Sequence, residues 1–281
     1  MTDELNVKQH VRQFYDEVGW KEVSEGIYQN ARYEDLRPVS RKYIHDCHMR
    51  VKRFLKPEGK YLLDAGSGPI QYPEYLEYSK GYEKRLCLDI SITALQEARK
   101  RIGGHGWFVV ADIAQLPFKR EVFDGAVSLH TIHHLPMEDH IPAYREVTRV
   151  LVPGASAALV NGWDLPAVTW LLNIPVNFYR VLRGRGWGRK SEAEEKRQAR
   201  VGTFVRKYNA RWLKRELNKF VDVEIRVWRA VTVRDLRFYV REKFAGRRLL
   251  KMLYWLEERF PRFFGRHGAY PLIVIRKRTE G

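Results

Sequence analysis

Three aspartates and one glycine-rich loop have the residue types and the spacing of a ligand-binding site. Asp64 ends the apolar run YLLDA and is followed at once by the loop GSGPIQ, residues 66–71. Asp89 ends the next apolar run, 25 residues later, where a carboxylate can accept both hydroxyls of a ribose. Asp112 ends the third run, and with Ile113 it could bond an adenine amino group and pack against the ring. The spacing therefore predicts a nucleoside ligand.

The glycine loop narrows the kind of ligand. Gly66 and Gly68 let the chain turn tightly and expose backbone N–H groups ahead of a helix N-terminus, which favours a carboxylate or a phosphate. Ser67 lies between them. The dinucleotide fingerprint G-x-G-x-x-G/A would need a small residue at the position of Gln71. A pyrophosphate is therefore disfavoured, and a smaller nucleoside that carries a carboxylate fits better.

Candidate catalytic side chains follow the fourth and fifth apolar runs. His130, His133 and His134 lie in LHTIHHLP, and Asp164 follows the fifth run in NGWD. A histidine or a carboxylate there could remove the proton of a hydroxyl acceptor, whereas a carbon or amine nucleophile needs less help. Loop histidines also pack or cap locally, and Asp164 could equally cap the next helix. These four residues are the catalytic candidates.

Other polar and aromatic side chains are candidates for contact with a substrate. Asn161 and Trp163 come at the end of the fifth run. Tyr15, Tyr28 and Tyr33 lie in an N-terminal region whose pattern is helical and amphipathic. Their ring faces could contact a ligand that carries a positive charge, because an aromatic face attracts a cation. Ordinary packing of an amphipathic helix is the alternative for each tyrosine.

The elements that must position these residues alternate regularly. Apolar runs are separated by helical segments from Lys60 to Trp163, and two further strands are predicted at 220–228 and 271–278. Continuous apolar strands separated by helices indicate a parallel sheet that is covered on both faces and binds ligands at the carboxyl ends of its strands. The sequence predicts a doubly wound α/β domain.

Composition excludes several classes of protein. A hydrophobic fraction of 44% suits a packed globular protein rather than a disordered one. No transmembrane span and no secretory signal are predicted, so a cytoplasmic location is expected. Cys47 and Cys87 give no disulfide framework. HDCH at 45–48 lacks the four ligands of a structural zinc site, so no metal is predicted.

Positive charge is concentrated in the second half of the chain. The formal net charge is +17, and residues 164–281 hold 29 lysines and arginines against 12 acidic residues, whereas residues 1–163 hold 22 of each. Basic, aromatic segments at about 165–219 and 232–268 suit an anionic membrane surface with a lipid acceptor. They also suit RNA, or they are solvated helices whose apolar faces pack on the core. A small or lipid-like acceptor is favoured over RNA.

The stretch from Tyr61 to about Trp163 resembles a class I S-adenosylmethionine-dependent methyltransferase, of the type 11 group that includes the ubiquinone and menaquinone biosynthesis enzymes. The resemblance rests on LLDAGSG, CLDIS, ADIAQLPFKREVFD, HTIHHLP and AYREVTRVLVPG, which occur in that order over about a third of the chain. The departure is Pro69, where the family usually has a third glycine.

The resemblance implies a Rossmann-like, seven-stranded, doubly wound sheet with an antiparallel last strand. Helices in residues 1–55 would cover a methyltransferase domain at 56–281, which would carry a helical insertion before strand six. The implied cofactor is S-adenosylmethionine, with S-adenosylhomocysteine as the product. The residues implied to bind it are Asp64, Gly66, Ser67, Gly68, Asp89, Ile90, Asp112, Ile113 and His130.

The acceptor implied by the resemblance is a small molecule or a lipid, such as a prenylated quinone, and the protein would then associate with a membrane surface from the cytoplasm. Two alternatives remain at this point. One is an RNA methyltransferase that uses the basic second half, and the other is a nonenzymatic module that binds S-adenosylmethionine. The oligomeric state is not predicted.

Overall fold

The computed structural model describes most of the chain. The described ranges are 2–20, 22–24, 27–28, 34–164, 166–183, 205–242 and 245–279. None of the helices within these ranges is long and apolar enough to cross a membrane.

Nine strands form one large sheet and one hairpin. They are β1 (Glu22–Ser24), β2 (Ile27–Tyr28), β3 (Gly59–Ala65), β4 (Tyr82–Asp89), β5 (Gly106–Val110), β6 (Phe123–Leu129), β7 (Leu151–Val160), β8 (Asp222–Arg229) and β9 (Tyr270–Arg276). β1 and β2 form the hairpin, and the other seven form a sheet in the order β5-β4-β3-β6-β7-β9-β8. β3 to β7 pair in parallel, whereas β9 is antiparallel to both β7 and β8. The predicted seven-stranded sheet with an antiparallel last strand is confirmed.

Ten α-helices flank the sheet within the described ranges. They are α1 (Thr2–Phe14), α2 (Arg41–Met49), α3 (Pro73–Leu76), α4 (Ile92–Ile102), α5 (His140–Val150), α6 (Ala167–Leu182), α7 (Ala210–Leu217), α8 (Val233–Tyr239), α9 (Gly246–Arg259) and α10 (Pro261–His267). A π-helical turn, Tyr15–Gly19, extends α1. Since α6 and α7 come between β7 and β8, they confirm the predicted helical insertion before strand six.

Both faces of the sheet are buried because most of its strands carry a run of consecutive apolar residues. Neighbouring residues of a strand point to opposite faces. Accordingly, Leu62 and Val127 belong to one hydrophobic cluster, whereas Leu63 and Ala126 belong to another. The cluster with Leu62 is covered by α4, and the cluster with Leu63 is covered by α5. The strand ends are therefore held in one rigid row.

A third cluster joins the N-terminal region to the helices near β8. It contains Tyr43 from α2 and Leu250 from α9. The buried carboxylate of Glu257 accepts hydrogen bonds from the Tyr43 hydroxyl at 2.7 Å, from Arg50 at 2.9 Å and from the Ala230 backbone N–H at 2.7 Å. A buried charge is tolerated only when it is paired and hydrogen-bonded in this way. The network fixes α2 and α9 against the end of β8.

The N-terminal region contains helices, as predicted, but it is not helical throughout. The hairpin of β1 and β2 interrupts it around position 26. Val23, Ile27 and Tyr28 are residue types that favour strands, and they flank a glycine that favours a turn. The helical pattern of residues 1–50 did not show this hairpin because the two strands are only three and two residues long.

Candidate active site

A cavity of about 980 Å³ lies at the carboxyl ends of β3, β4 and β6. Twelve of the sequence-predicted site residues line it, namely Tyr15, Asp64, Gly66, Ser67, Gly68, Asp89, Ile90, Asp112, Ile113, His130, His133 and His134. The parallel sheet brings these residues together because its strands end along the same edge.

The glycine loop forms one wall of the cavity and has no room for larger residues. Gly66 and Gly68 have φ angles of 77° and 54°, in the left-handed region that favours glycine. A Cβ atom at Gly66 would lie 2.2 Å from the side chain of Thr131, and one at Gly68 would lie 3.1 Å from the ring of Trp20. The two glycines are therefore required by the fold of the loop and by the side chains packed on it.

Asp89 is hydrogen-bonded to the glycine loop. One of its oxygens accepts a hydrogen bond from the Gly68 N–H, and the other accepts one from the Ser91 N–H, both at 2.9 Å. Burial raises the pKa of Asp89 to about 6, although these two N–H groups act in the opposite direction. A carboxylate has about four acceptor positions, so two remain for the hydroxyl groups of a ribose.

Asp64 lies deeper in the cavity wall and is engaged by an arginine. Its Oδ2 atom accepts from Arg85 Nη2 at 2.5 Å and from Arg85 Nε at 3.1 Å. Burial raises the pKa of Asp64, and the neighbouring guanidinium opposes this shift. The ion pair holds the end of β3 against β4, so Asp64 fixes the base of the glycine loop as well as lining the cavity.

Asp112 at the end of β5 is bonded to the N-terminal helix. Lys8 Nζ of α1 lies 2.5 Å from an oxygen of Asp112 and 2.5 Å from an oxygen of Asp139. The other oxygen of Asp112 accepts from the Ala114 N–H at 2.9 Å. Ile113 beside it is buried and lines the cavity. Lys8 therefore ties the cover helix to the predicted adenine end of the cavity.

His130 lies at the end of β6 in a fixed orientation. Its φ angle is 59°, which is uncommon for a residue with a side chain. Its ring makes edge-to-face contacts with Trp228 and Tyr270, with centroids 5.1 and 5.5 Å apart. Burial and the nearby guanidinium of Arg229 lower the pKa of His130 to about 3. The imidazole is therefore neutral at physiological pH.

His133 and His134 line the cavity next to each other and have different partners. His133 Nδ1 lies 3.2 Å from Asn161 Oδ1, and the Asn161 amide donates to the Tyr144 hydroxyl at 2.9 Å. Burial, with a contribution from His134, holds the pKa of His133 well below its usual range. His134 Nε2 lies 3.0 Å from the hydroxyl of Tyr15. Asn161 is buried behind His133 and orients it, so it does not itself line the cavity.

Two predicted residues lie away from the cavity. Trp163 is buried in the core and donates its indole N–H to the Gly265 carbonyl at 2.7 Å, so the prediction that it faces the acceptor is corrected. Asp164 is exposed and borders a separate hollow of about 300 Å³, so the structure does not support it as a base in the main cavity. β7 ends at Val160, and the chain beyond it turns Trp163 into the core and leaves Asp164 at the surface.

Two of the predicted tyrosines cannot be assigned a contact. Tyr28 belongs to strand β2, but its side chain lies outside what the structure describes, and Tyr33 lies outside the described residues altogether. Among the described residues, no group of three or more histidines, cysteines, aspartates or glutamates could hold a metal ion.

The sequence did not reveal the far wall of the cavity. Arg229 at the end of β8 is buried and forms an ion pair with Glu34, and both line the cavity. His48, which is buried, lies 3.4 Å from Glu34 and 3.7 Å from Glu74. Arg229, with His48, lowers the pKa of Glu34 to about 2 against the effect of burial. These residues come from distant parts of the chain, and no motif marks them.

Aromatic rings complete this wall. Tyr72, Tyr75 and Tyr270 line the cavity, and the Arg229 guanidinium lies 4.8 Å from the ring centroid of Tyr270. Trp20 covers the glycine loop from the side of the N-terminal region and stacks on Tyr15 at 5.0 Å. The cavity thus has a polar half around Asp89 and an aromatic half around Arg229 and Glu34.

Comparisons with known proteins agree with this geometry. Residues 63–159 match the family of methyltransferase domains. The chain is 30% identical over 165 residues to squalene methyltransferase 1 of Botryococcus braunii, covering 54% of this chain and 41% of that protein. It is 32% identical over 125 residues to the probable tRNA methyltransferase 9B of Homo sapiens, and this match covers 43% of this chain and 26% of that protein. The chain thus spans less than half the length of these curated relatives.

The fold of a solved structure extends over nearly the whole chain. A geranyl diphosphate C-methyltransferase from Streptomyces coelicolor A3(2), in complex with Mg²⁺, geranyl diphosphate and S-adenosylhomocysteine, aligns over 97% of this chain and 98% of its own. The TM-score is 0.56 and the sequence identity is 14%. This similarity shows the shared fold.

The residues present fit the cofactor of this family. The backbone of Gly66 and Gly68 lines the cavity without a side chain, Asp89 keeps free acceptor positions, and Ile90 and Ile113 supply apolar contacts at the same cavity. Residues 63–159 therefore match a methyltransferase domain, and the residues that line its cavity fit S-adenosylmethionine.

Proposed function

We propose that the protein transfers a methyl group from S-adenosylmethionine to a small or lipid-like acceptor. The observation that carries the proposal is a single continuous cavity with two unlike halves. One half holds the glycine loop and Asp89, and the other holds aromatic rings around the Arg229–Glu34 pair. Such an arrangement suits methyl transfer, because this reaction depends mainly on alignment of the two reactants and exclusion of water.

The polar half supplies the groups that would hold the cofactor. The backbone of the loop 66–68 would lie against the amino-acid portion, with Ser67 between the two glycines. Asp89 would accept the ribose hydroxyls, Ile90 would pack against the adenine, and Asp112 with Ile113 would hold the base. When bound, S-adenosylmethionine supplies a reactive methyl group on a sulfonium cation.

Two of the cavity histidines, His130 and His133, are neutral. Since the pKa values of His130 and His133 are both lowered by burial, neither ring carries a charge that would repel a sulfonium at neutral pH. A neutral imidazole can also accept a hydrogen bond from the acceptor and orient it. Such weakly basic rings favour a nucleophile that needs little help with deprotonation, such as a carbon or an amine, over an ordinary hydroxyl group.

The aromatic half favours an acceptor with an apolar or unsaturated body. Tyr72, Tyr75 and Tyr270 offer ring faces and few hydrogen-bonding groups, which suits apolar contact. Squalene methyltransferase 1, a relative, acts by its name on a hydrocarbon, and this supports a lipid-like acceptor. A membrane surface would be the source of such an acceptor.

RNA is a second candidate acceptor. It is favoured by the excess of basic residues after position 163 and by the relative named as a probable tRNA methyltransferase. A basic surface with aromatic residues can bind phosphates and stack on bases. The cavity itself favours the smaller acceptor, because a base would have to be turned out of its stack to reach between the histidines.

The experiment supplies S-adenosylmethionine labelled at the methyl group, together with lipid extract or total RNA from the source organism. Label in the lipid fraction is expected with the wild-type protein. Gly66→Val should abolish it, because the added side chain has no space, whereas Gly104→Val is the matched control, since no atom lies within 4 Å of its Cβ position. Label in RNA would overturn the choice of acceptor, and cofactor binding without label in any fraction would indicate a nonenzymatic module.

A further inference from the structure

The outer face of α6 is strongly apolar. Six exposed side chains recur along it at intervals of one, three and four residues, namely Trp170, Leu171, Ile174, Phe178, Val181 and Leu182. Trp170 is 65% exposed, Phe178 59% and Leu182 69%. Residues three and four apart lie on the same side of a helix, so these side chains form one stripe. A stripe of this size on a protein surface marks an interaction site.

The opposite face of α6 is fixed to the protein. Val168 and Leu172 pack on the cluster that contains Leu236 and Leu250. The Tyr239 hydroxyl donates a hydrogen bond to the carbonyl of Leu172. These contacts fix the orientation of α6, so its outer apolar face stays exposed to solvent.

The chain following this helix identifies the partner. Residues 165–179 contain no charged side chain, whereas residues 183–190, RGRGWGRK, contain four cations and no anion. Basic clusters next to an apolar helix bind anionic lipid headgroups, and tryptophan favours the boundary between headgroups and acyl chains. Residues 184–204 hold nine charged residues among 21, so that segment has too few apolar residues to cover the stripe itself.

A second helix has a similar composition. Met252 and Trp255 of α9 are 54% and 62% exposed. Arg248, Lys251 and Arg259 are exposed on the same helix. The inner side of α9 packs on the same cluster as α6, through Leu250 and Leu253. α9, which packs on the same cluster as α6, thus combines apolar side chains with cations, which is the composition of an interfacial surface.

We infer that α6 docks the protein on an anionic lipid bilayer, lying along the surface with its apolar stripe inserted among the headgroups. With 16 residues, α6 is about 24 Å long, which is shorter than the hydrocarbon core of about 30 Å. The helix therefore lies on the bilayer and does not cross it. RNA suits the stripe less well, because Leu171, Ile174 and Leu182 offer neither a ring to stack on a base nor a charge for a phosphate.

This docking is independent of methyl transfer, since none of the described cavity-lining residues belongs to α6. The test measures flotation of the full chain with vesicles of phosphatidylglycerol and phosphatidylcholine, and with vesicles of phosphatidylcholine alone. We expect binding to the anionic vesicles, weaker binding to the neutral ones, and a decrease with salt. Each cation near an anionic surface contributes about fivefold to this difference.

The decisive variant is Trp170→Ser with Phe178→Ser. Each lost ring is expected to weaken vesicle binding about tenfold. Trp107→Ser is the matched control, because Trp107 is 46% exposed on β5 at the opposite edge of the sheet, and it should bind vesicles as the wild type does. Unchanged cofactor affinity in all three proteins establishes that they are folded.

Three outcomes would overturn the inference. The first is a wild-type protein that does not float with anionic vesicles. The second is equal loss of binding in the α6 variant and in Trp107→Ser, since the site would then not be α6. The third is RNA binding that the α6 variant weakens while vesicle binding is absent, which would assign the stripe to RNA.

Discussion

Asp89→Asn tests the assignment of the cofactor site through its pH dependence. In the wild type, both oxygens of Asp89 accept backbone N–H groups, and the ionised carboxylate has acceptor positions left for two ribose hydroxyls. Asparagine has one acceptor oxygen, and its amino group cannot accept. The variant should therefore lose hydrogen bonds to a charged group, at a cost of about 2–4 kcal/mol, or roughly 30- to 1,000-fold in cofactor affinity.

The wild type should show a pH dependence that the variant lacks. Because burial raises the pKa of Asp89 to about 6, about one tenth of the carboxyl groups are ionised at pH 5, whereas nearly all are ionised at pH 7.5. If only the ionised form accepts both hydroxyls, cofactor affinity falls about tenfold between these two values. The raised pKa means that protonation of Asp89 favours the folded state, so this loss cannot come from unfolding at Asp89.

Isothermal titration calorimetry with S-adenosylhomocysteine at several pH values between 5 and 7.5 measures both effects. Asp222→Asn is the matched control, because Asp222 is exposed at the start of β8. This substitution should change neither the cofactor affinity nor its dependence on pH. The reasoning is refuted if Asp89→Asn binds the ligand as the wild type does, or if the variant keeps the wild-type decline toward pH 5. Either result would place the ribose elsewhere in the cavity.

Two further predictions concern the charged groups around the cavity. Lys8→Met removes the contacts with Asp112 and Asp139, so cofactor affinity should fall several-fold and the free energy of unfolding should fall by about 1 kcal/mol or less. The N-terminal region should also be cleaved faster by a protease, because one of its contacts with the domain is lost. An unchanged rate of cleavage would contradict the role given to Lys8. The pKa of Glu34 is lowered to about 2, so the ionised carboxylate stabilises the folded state, and this stabilisation is fully present above pH 4.5. The free energy of unfolding should therefore fall by about 3 kcal/mol as the pH decreases from 4.5 through 2. Urea unfolding at low pH measures this, and Glu34→Gln should show a weaker dependence.

The cofactor half of the site could be predicted because its signals are local. Asp64, Asp89 and Asp112 each end an apolar run, and parallel strands must end along one edge of a sheet. The glycine loop adds a conformational requirement that few residues satisfy, as the positive φ angles of Gly66 and Gly68 show. These inferences needed no knowledge of which strand pairs with which.

The acceptor half could not be predicted because it is assembled from distant residues. Glu34 and Arg229 are 195 positions apart, and neither follows a motif. Asp164 misled the sequence reasoning for a different reason: it directly follows the predicted fifth apolar run, but β7 already ends at Val160 and Asp164 borders a separate hollow. A position just after a strand therefore predicts a cavity-lining residue where the strand leads into a loop at the cavity. It does not predict one where the chain turns away from the cavity.

The N-terminal region contributes to the site through contacts that no local pattern contains. Lys8 reaches Asp112 across 104 positions, Tyr15 reaches His134, and Trp20 covers Gly68. Two of these contacts fall on residues assigned to the cofactor, namely Asp112 and Gly68. Binding of the cofactor and packing of the N-terminal region over the cavity therefore depend partly on the same groups. A change in the cover helix should consequently alter cofactor affinity even when it leaves the sheet intact, and this is why Lys8 is a sharper test of the cover than a residue in its exposed face.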